Sequence, residues 1–128
     1  MNQKKTKVIP FEFILEKLDP VSPVTRPMFG CHAIYVGEKI VGALRKKTNN
    51  KRDNGLWIAT SADHHDSLKS DFPSMRSIAM FGRSSSTWQI LPEDADDFEE
   101  SVMRFCELIM KGDQRLGKVP AKKKKSSI

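Results

Sequence analysis

The residues of this chain whose types suit metal binding are Asp63-His64-His65-Asp66. Helical zinc ligands lie at i and i+3 or i and i+4, so that both side chains share one face. The adjacent His64 and His65 would instead point about 100° apart on a helix. Because no cysteine or further histidine lies nearby, the group favours a polar helix start with solvated histidines over a metal site.

Two other groups contain nucleophile residue types, Cys31-His32 and Ser84-Ser85-Ser86. Neighbouring residues of a strand project to opposite faces, so a thiolate–imidazole pair between Cys31 and His32 is not expected. The serine run lacks the Gly-x-Ser-x-Gly context of a nucleophile elbow. We therefore predict no catalytic residue, no metal and no cofactor, and a protein that is not an enzyme.

A basic loop is the candidate binding site on the folded part of the chain. Five cations accompany a single acid, Asp53, in this loop, and Asn49 and Asn50 lie among them. The cations suit phosphate contacts, and the asparagines suit base edges. The alternative is a solvated, flexible loop, because no stacking aromatics interleave with the charges. The candidate nucleic-acid contacts are Arg45, Lys46, Lys47, Lys51 and Arg52.

Most of the positive charge lies in the two terminal segments. The chain of 128 residues has a formal net charge of +6, with +3 in residues 1–7 and +5 in residues 112–128, which leaves −2 for residues 8–111. We expect a disordered basic N-terminus over residues 1–9 and a flexible Lys-rich tail over residues 112–128. Such a tail attracts polyanions weakly and without sequence preference. The expected partners are a protein or weakly bound, non-specific nucleic acid, and not a membrane.

The cysteines and the N-terminus indicate the compartment. Cys31 and Cys106 fit no disulfide or zinc spacing and each lies in an apolar run, which predicts buried thiols in a reducing environment. Pro10 and Glu12 interrupt the short apolar run that follows the basic N-terminus, so a signal peptide is not expected. A cytoplasmic location follows.

Hydrophobic periodicity and N-cap residues together predict three helices in one domain over residues 10–111. Apolar residues at i, i+3, i+4 and i+7 predict a helix over Pro10–Leu18. A longer stripe starts at Phe98 and ends before Lys111 and Gly112, and acidic residues precede it where the helix dipole favours them. A short central helix is predicted over Ala62–Lys69.

The strands are predicted from β-rich runs bounded by turns. Val24–Met28 holds Pro27, which predicts that this strand either lies at a sheet edge or kinks at that point. Two hairpins are predicted, Cys31–Val36 with Ile40–Leu44 and Ser77–Phe81 with Ser86–Leu91, and a short strand Leu56–Ala59 lies between them. The order predicts an α+β fold, in which an antiparallel sheet built from hairpins is packed by N- and C-terminal helices and one short central helix. An open edge at the second hairpin would permit a homodimer.

We expect one core beneath these elements. Its members are Met28, Phe29, Ile34, Tyr35, Trp88, Phe98, Val102, Phe105 and Ile109.

Several segments share a pattern with a known family. Met28-Phe29-Gly30, Ile34-Tyr35, Trp88 and Pro92-Glu93 match a Met-Phe-Gly-Gly segment, a Gly-Leu/Ile-Tyr strand, a later aromatic residue and a Pro-Glu-Glu helix start. Over roughly residues 10–111 the chain thus resembles the N-terminal domain of the TfoX/Sxy family, bacterial proteins named for regulators of natural competence. Cys31 and Ala33 stand where the family tends to have glycine.

The resemblance implies a stand-alone member of that type and a non-enzymatic binding module. It points to a regulatory role but does not specify one, because a shared fold does not imply a shared function. The alternative is a small-ligand binder or small enzyme that uses a cavity near Phe29, Tyr35 and Trp88. A concave pocket with polar groups would favour that alternative, and a solid core would favour the binding module.

Overall fold

The computed structural model describes residues 9–81 and 88–119. These residues form one antiparallel sheet of six strands in the order β1-β2-β3-β4-β6-β5, together with three α-helices. The predicted α+β class is confirmed. The strands are Val24–Met28 (β1), Cys31–Val36 (β2), Lys39–Arg45 (β3), Gly55–Ala59 (β4), Arg76–Ser77 (β5) and Trp88–Pro92 (β6), and the helices are Glu12–Lys17 (α1), His65–Asp71 (α2) and Phe98–Met110 (α3).

Two tight turns build the first half of the sheet. Phe29 and Gly30 connect β1 to β2 with φ values of 52° and 78°, the left-handed pair that two-residue hairpins favour. The next turn, between β2 and β3, has Gly37 at φ 62°. Of the two alternatives that Pro27 left open, the structure has the edge position, because β1 is an outermost strand of the sheet.

The larger core lies between one face of the sheet and the three helices. Phe105 of α3 is fully buried against this face and packs close to Gly42 of β3, where an added Cβ would lie 2.6 Å from the Trp57 carbonyl oxygen. Ile14 of α1 and Leu68 of α2 join the same cluster. The predicted apolar stripes of the helices therefore do face a core.

A second cluster lies on the opposite face of the sheet, so the prediction of one core is wrong. Trp57 of β4 is fully buried there, with ring centroids 5.4 Å from Phe81 and 6.0 Å from Trp88. Met28, Tyr35 and Trp88 are only partly buried on this face. Phe29 was also expected in the core, but it is 80% exposed because it forms the turn between β1 and β2.

Two predicted elements differ in extent. Helix α1 begins at Glu12, after Phe11 at φ 55°. The strand predicted over Ser77–Phe81 is wrong: β5 contains only Arg76 and Ser77, and Ala79–Phe81 is a 3-10 turn. The turn predicted at residues 82–85, and Ser86 at the start of its partner strand, lie outside the described residues.

The fold continues beyond the predicted boundary at residue 111. Lys118 and Ile40 of β3 exchange both backbone hydrogen bonds, at 2.8 and 2.9 Å, and the Gly117 N–H donates to the Ala59 carbonyl at 2.7 Å. Leu116 is 1% exposed. The predicted flexible tail is therefore wrong for residues 112–119, and residues 120–128 lie outside the described part. Ile9 likewise packs against the core, whereas residues 1–8 are not described.

An ion network, Asp71, Arg104, Arg115 and Asp113, fixes this C-terminal segment. Asp71 pairs with Arg104 at 2.9 Å and with Arg115 at 3.0 Å. Arg115 also donates to both carboxylate oxygens of Asp113, at 3.0 and 2.8 Å. These hydrogen bonds lower the pKa of Asp113 to about 2. Burial alone would raise the pKa of Asp71, but the bonds from the two arginines outweigh it and lower that pKa.

Within the described ranges, none of the helices has the length and apolar character needed to cross a bilayer.

Candidate nucleic-acid interface

One end of the sheet gathers the connections that carry the candidate residues. In an antiparallel sheet alternate connections lie at the same end, so the β1–β2 turn lies on the same side as the loop between β3 and β4. The end of β6 and the start of β5 also lie there. We call this region, comprising residues 29–30, residues 45–54 and Arg76, the basic end.

Arg45 is not a surface residue, and its predicted role as a phosphate contact is wrong. Its side chain donates to the carbonyls of Asn49 at 3.0 Å and Asn50 at 2.9 Å, and to Oδ1 of Asn54 at 2.9 Å. Arg45 is 2% exposed. A buried charge requires such partners, because an unpaired one is costly to desolvate. Arg45 therefore holds the loop from within.

Asn54 closes the loop against its beginning. Its carboxamide accepts the Lys47 N–H and donates to the Lys47 carbonyl, both at 2.9 Å. The backbone carbonyl of Asn54 also accepts the Glu93 N–H beyond β6. The side-chain oxygen and nitrogen of Asn54 and its backbone carbonyl therefore all have hydrogen-bond partners. Asn54 thus ties the start of the loop to its end.

Asp53 is the buried counter-ion of the basic end. Its carboxylate accepts the N–H groups of Ala79 at 2.8 Å and Met80 at 2.9 Å, and its carbonyl accepts Nε1 of Trp57 at 3.0 Å. These bonds commit residues 79–80 to a turn and explain why β5 is so short. Asp53 is fully buried.

Arg76 is a residue that sequence reasoning missed. Its guanidinium pairs with the Asp53 carboxylate at 3.4 Å and donates to the carbonyls of Arg52 and Ser77. A signal existed in the sequence: a lone acid in a basic loop is a natural counter-ion for a cation elsewhere. The sequence does not show that Arg76 is that cation.

The other four predicted cations are exposed. Lys46 and Lys47 lie at the start of the loop, and Lys51 and Arg52 lie near its end. Lys46 pairs with Glu93, with 2.6 Å between Nζ and Oε2. Lys47 reaches across to the β1–β2 turn, and its Nζ lies 2.8 Å from where a Cβ on Gly30 would be. Lys51 and Arg52 are exposed on a 3-10 turn over Lys51–Asp53. The structure thus brings three cations, those of Lys47, Lys51 and Arg52, to the surface of a braced loop.

Phe29 is exposed next to Gly30, against which the ammonium group of Lys47 lies. Sequence reasoning placed Phe29 in the core on hydrophobicity alone. The available signal was that two β-runs with only Phe29-Gly30 between them require a tight turn, where a side chain faces solvent. Phe29 is therefore part of the basic end.

Two cavities of about 420 Å³ lie among the described residues, and the first borders the basic end at Gly30. One lies at the β1 edge, and the other lies on the acidic approach to α3. Phe29, Tyr35 and Trp88 line neither of them. Tyr35 instead supports the guanidinium of Arg26, which lies 5.5 Å from the ring centroid. The lining residues are Ile9, Thr25, Arg26, Pro27, Gly30, Cys31 and His32 for the first cavity, and Glu93, Ala95, Asp96, Phe98, Glu99 and Glu100 for the second.

Both thiols are buried, and the described ranges hold no cluster of metal-binding side chains. Cys31 and Cys106 are buried and unpaired, as predicted. Burial raises the pKa of both thiols, that of Cys106 to about 11, so neither is a thiolate at neutral pH. Among residues 9–81 and 88–119, no group of three or more His, Cys, Asp or Glu side chains is placed to hold a metal ion.

Comparison of the chain with protein-family models, with curated proteins and with solved structures finds no match.

Proposed function

We propose that this protein is a non-enzymatic binding module of the TfoX N-terminal type, and that it binds the phosphate backbone of nucleic acid through its basic end. One observation carries the proposal. Lys47, Lys51 and Arg52 stand exposed on a loop that buried side chains hold in place.

The bracing of the loop supports a binding role over mere solvation. A flexible cationic loop loses conformational entropy when it meets a ligand, and that loss weakens binding. Here Arg45 and Asp53 satisfy the loop's carbonyls and the facing N–H groups before any ligand arrives. The backbone that carries the exposed cations is therefore held in place, so binding a phosphate orders only their side chains and not the whole loop.

The charge around the basic end limits where nucleic acid would run. Lys46 faces Glu93, at the beginning of the acidic segment that leads into α3. That segment repels phosphates. On the other side, Lys47 reaches toward the β1–β2 turn. A bound nucleic-acid strand is therefore expected to run from Lys51 and Arg52 toward Phe29, away from α3.

Fluorescence anisotropy with a labelled oligonucleotide across a salt series tests the proposal. The starting protein is the full chain with Lys122–Lys125 replaced by glutamine, which removes the binding expected of the tail. In that protein, K47Q/K51Q/R52Q should weaken binding at least tenfold. It should also reduce the slope of log K against log salt by about 2, because about 0.7 counterions are released per single-strand phosphate contact.

The matched control is K17Q/K111Q/K118Q, which removes the same charge from exposed positions elsewhere. It should change binding by less than threefold. Equal losses in the two triple variants would show that only net charge matters and would contradict the proposal. Unfolding in urea should agree for the two variants within about 0.5 kcal/mol, because isolated surface changes have small effects.

A further inference from the structure

Phe29 is the residue of the described chain whose conformation and exposure its own fold explains least. Its φ of 52° is an unfavourable backbone conformation for a bulky residue. The first position of such a two-residue turn favours Asn, Asp or Gly. Residues with strain of this kind cluster at functional sites, and burial does not offset the strain here, because Phe29 is 80% exposed.

The surroundings of Phe29 are rigid and cationic. The residues on either side of the turn, Met28 and Cys31, pair across β1 and β2, and Cys31 is buried. The ammonium group of Lys47 lies against Gly30, and the backbone of Lys47 is locked by Asn54. An exposed aromatic side chain thus stands on a turn whose other residue, Gly30, lies against a cation with a locked backbone.

We infer that Phe29 is a stacking platform for an unpaired base, and hence that the ligand of the basic end is single-stranded nucleic acid. The inference rests on the proposed function and specifies its partner. Proteins that bind single strands combine cations along the backbone with aromatic rings on which bases stack. Lys47, Lys51 and Arg52 supply the cations, and Phe29 supplies the ring.

The same features do not suit a duplex or an apolar partner. Duplex bases are already stacked on one another, so a ring on a surface turn has no base face to meet. A hot-spot anchor at a protein interface fills a well-packed, fully desolvated pocket. The side chain nearest to Gly30 of this turn is instead that of Lys47, whose ammonium group is strongly hydrated.

The test uses the full chain carrying the Lys122–Lys125 to glutamine changes, with a 12-nucleotide single strand and the matching duplex. Phe29→Asn suits the turn and should fold at least as well as the parent. It should weaken single-strand binding about tenfold, within the range found for removal of one stacking aromatic, and leave duplex binding within twofold. Phe29→Trp should bind like the parent, and its added indole fluorescence should be quenched by the single strand.

Phe29→Leu separates stacking from simple apolar contact. It should lose as much single-strand affinity as Phe29→Asn, and parental affinity in this variant would overturn the inference. An equal loss for single strand and duplex in Phe29→Asn would overturn it as well.

The outcomes also separate this inference from the proposed function. If Phe29→Asn keeps full affinity while K47Q/K51Q/R52Q loses it, the stacking role is wrong and the phosphate-binding role stands. If the parent binds neither oligonucleotide, both are wrong. Capture of an apolar peptide or of lipid vesicles by the parent but not by Phe29→Asn, without oligonucleotide binding, would likewise overturn both.

Discussion

Two clusters of charge in this protein use the same residue types in different ways. In the ion network near the C-terminal segment, Arg104 and Arg115 face carboxylates directly, and the charges hold one part of the chain to another. At the basic end, buried Arg45 and Asp53 mainly satisfy backbone groups. The exposed cations of Lys47, Lys51 and Arg52 stand beside them. A cluster whose charges neutralise one another stabilises the fold. A cluster whose exposed cations are not neutralised, on a braced loop, is suited to bind a partner.

Asp53→Ala should give the largest effect, because it removes the counter-ion on which the basic end depends. The N–H groups of Ala79 and Met80 would lose their acceptor inside the protein. Bonds to a buried charged group are strong and their loss leaves donors unsatisfied, so we expect a destabilisation of about 3–5 kcal/mol. Urea unfolding measures it.

The matched control is Asp63→Ala, which removes an exposed acid and should cost less than about 0.5 kcal/mol. Similar unfolding midpoints for the two variants would show that the basic end is not braced through Asp53. The contrast between the two clusters would then disappear.

Ending the chain at Gly112 should give the next largest effect, because it removes the segment that the ion network fixes. Burial of Leu116 alone is worth about 1.5–3 kcal/mol, and the pairing of Lys118 with Ile40 would be lost as well. We expect a loss of about 2–4 kcal/mol in the free energy of unfolding. A chain ending at Val119 keeps every described contact and should unfold like the full chain.

The ion network should also make stability depend on acid. Asp113 has a pKa near 2 in the folded protein against an ordinary value of 3.8, so the unfolded chain binds a proton first as the pH falls. The stabilisation is therefore complete above about pH 4 and is lost between about pH 4 and pH 2. Solvent screening limits its size to about 1 kcal/mol.

Asp113→Asn checks this sign. At pH 7 the variant should be less stable than the parent by about 1 kcal/mol, and the two should converge near pH 2. A difference that stays constant over that range would show that the carboxylate charge of Asp113 does not contribute.

The sequence predicted the parts of the fold in which each residue reports its own environment. Helix α3 carries a long apolar stripe, so its register against the sheet is determined by local spacing. Pro27 lacks an N–H and therefore indicated either an edge position or a kink for β1, and the structure has the edge position. The resulting α+β arrangement is confirmed in the structure.

Elements that depend on distant partners were not predictable in this way. A strand pattern over residues 77–81 is locally plausible, but Asp53 binds the N–H groups of Ala79 and Met80 and turns the chain. Leu116 is isolated between polar residues, so its burial follows only from the ion network and the pairing with β3. Such contacts join positions far apart in the sequence, which periodicity does not detect.

The candidate site was predicted in outline and wrong in detail. A run of cations identified the loop, but charge alone does not distinguish Arg45, which is buried, from Lys47, which is exposed. The carbonyls that bury Arg45 belong to the loop's own folded shape. Phe29 shows the converse error, because apolar character outweighed its position in a two-residue turn.

The pairing of Lys118 with Ile40 has a consequence for the order of folding. A contact between residues distant in sequence forms only after a large loop has closed, and the entropy lost in closing that loop slows folding. During synthesis β3 emerges long before Lys118. Until Lys118 emerges, the backbone groups of Ile40 that bond to it lack that partner. The C-terminal segment is therefore expected to be the last part of the fold to pack. A peptide that copies residues 113–119 would be expected to compete with it for β3 in a nascent chain.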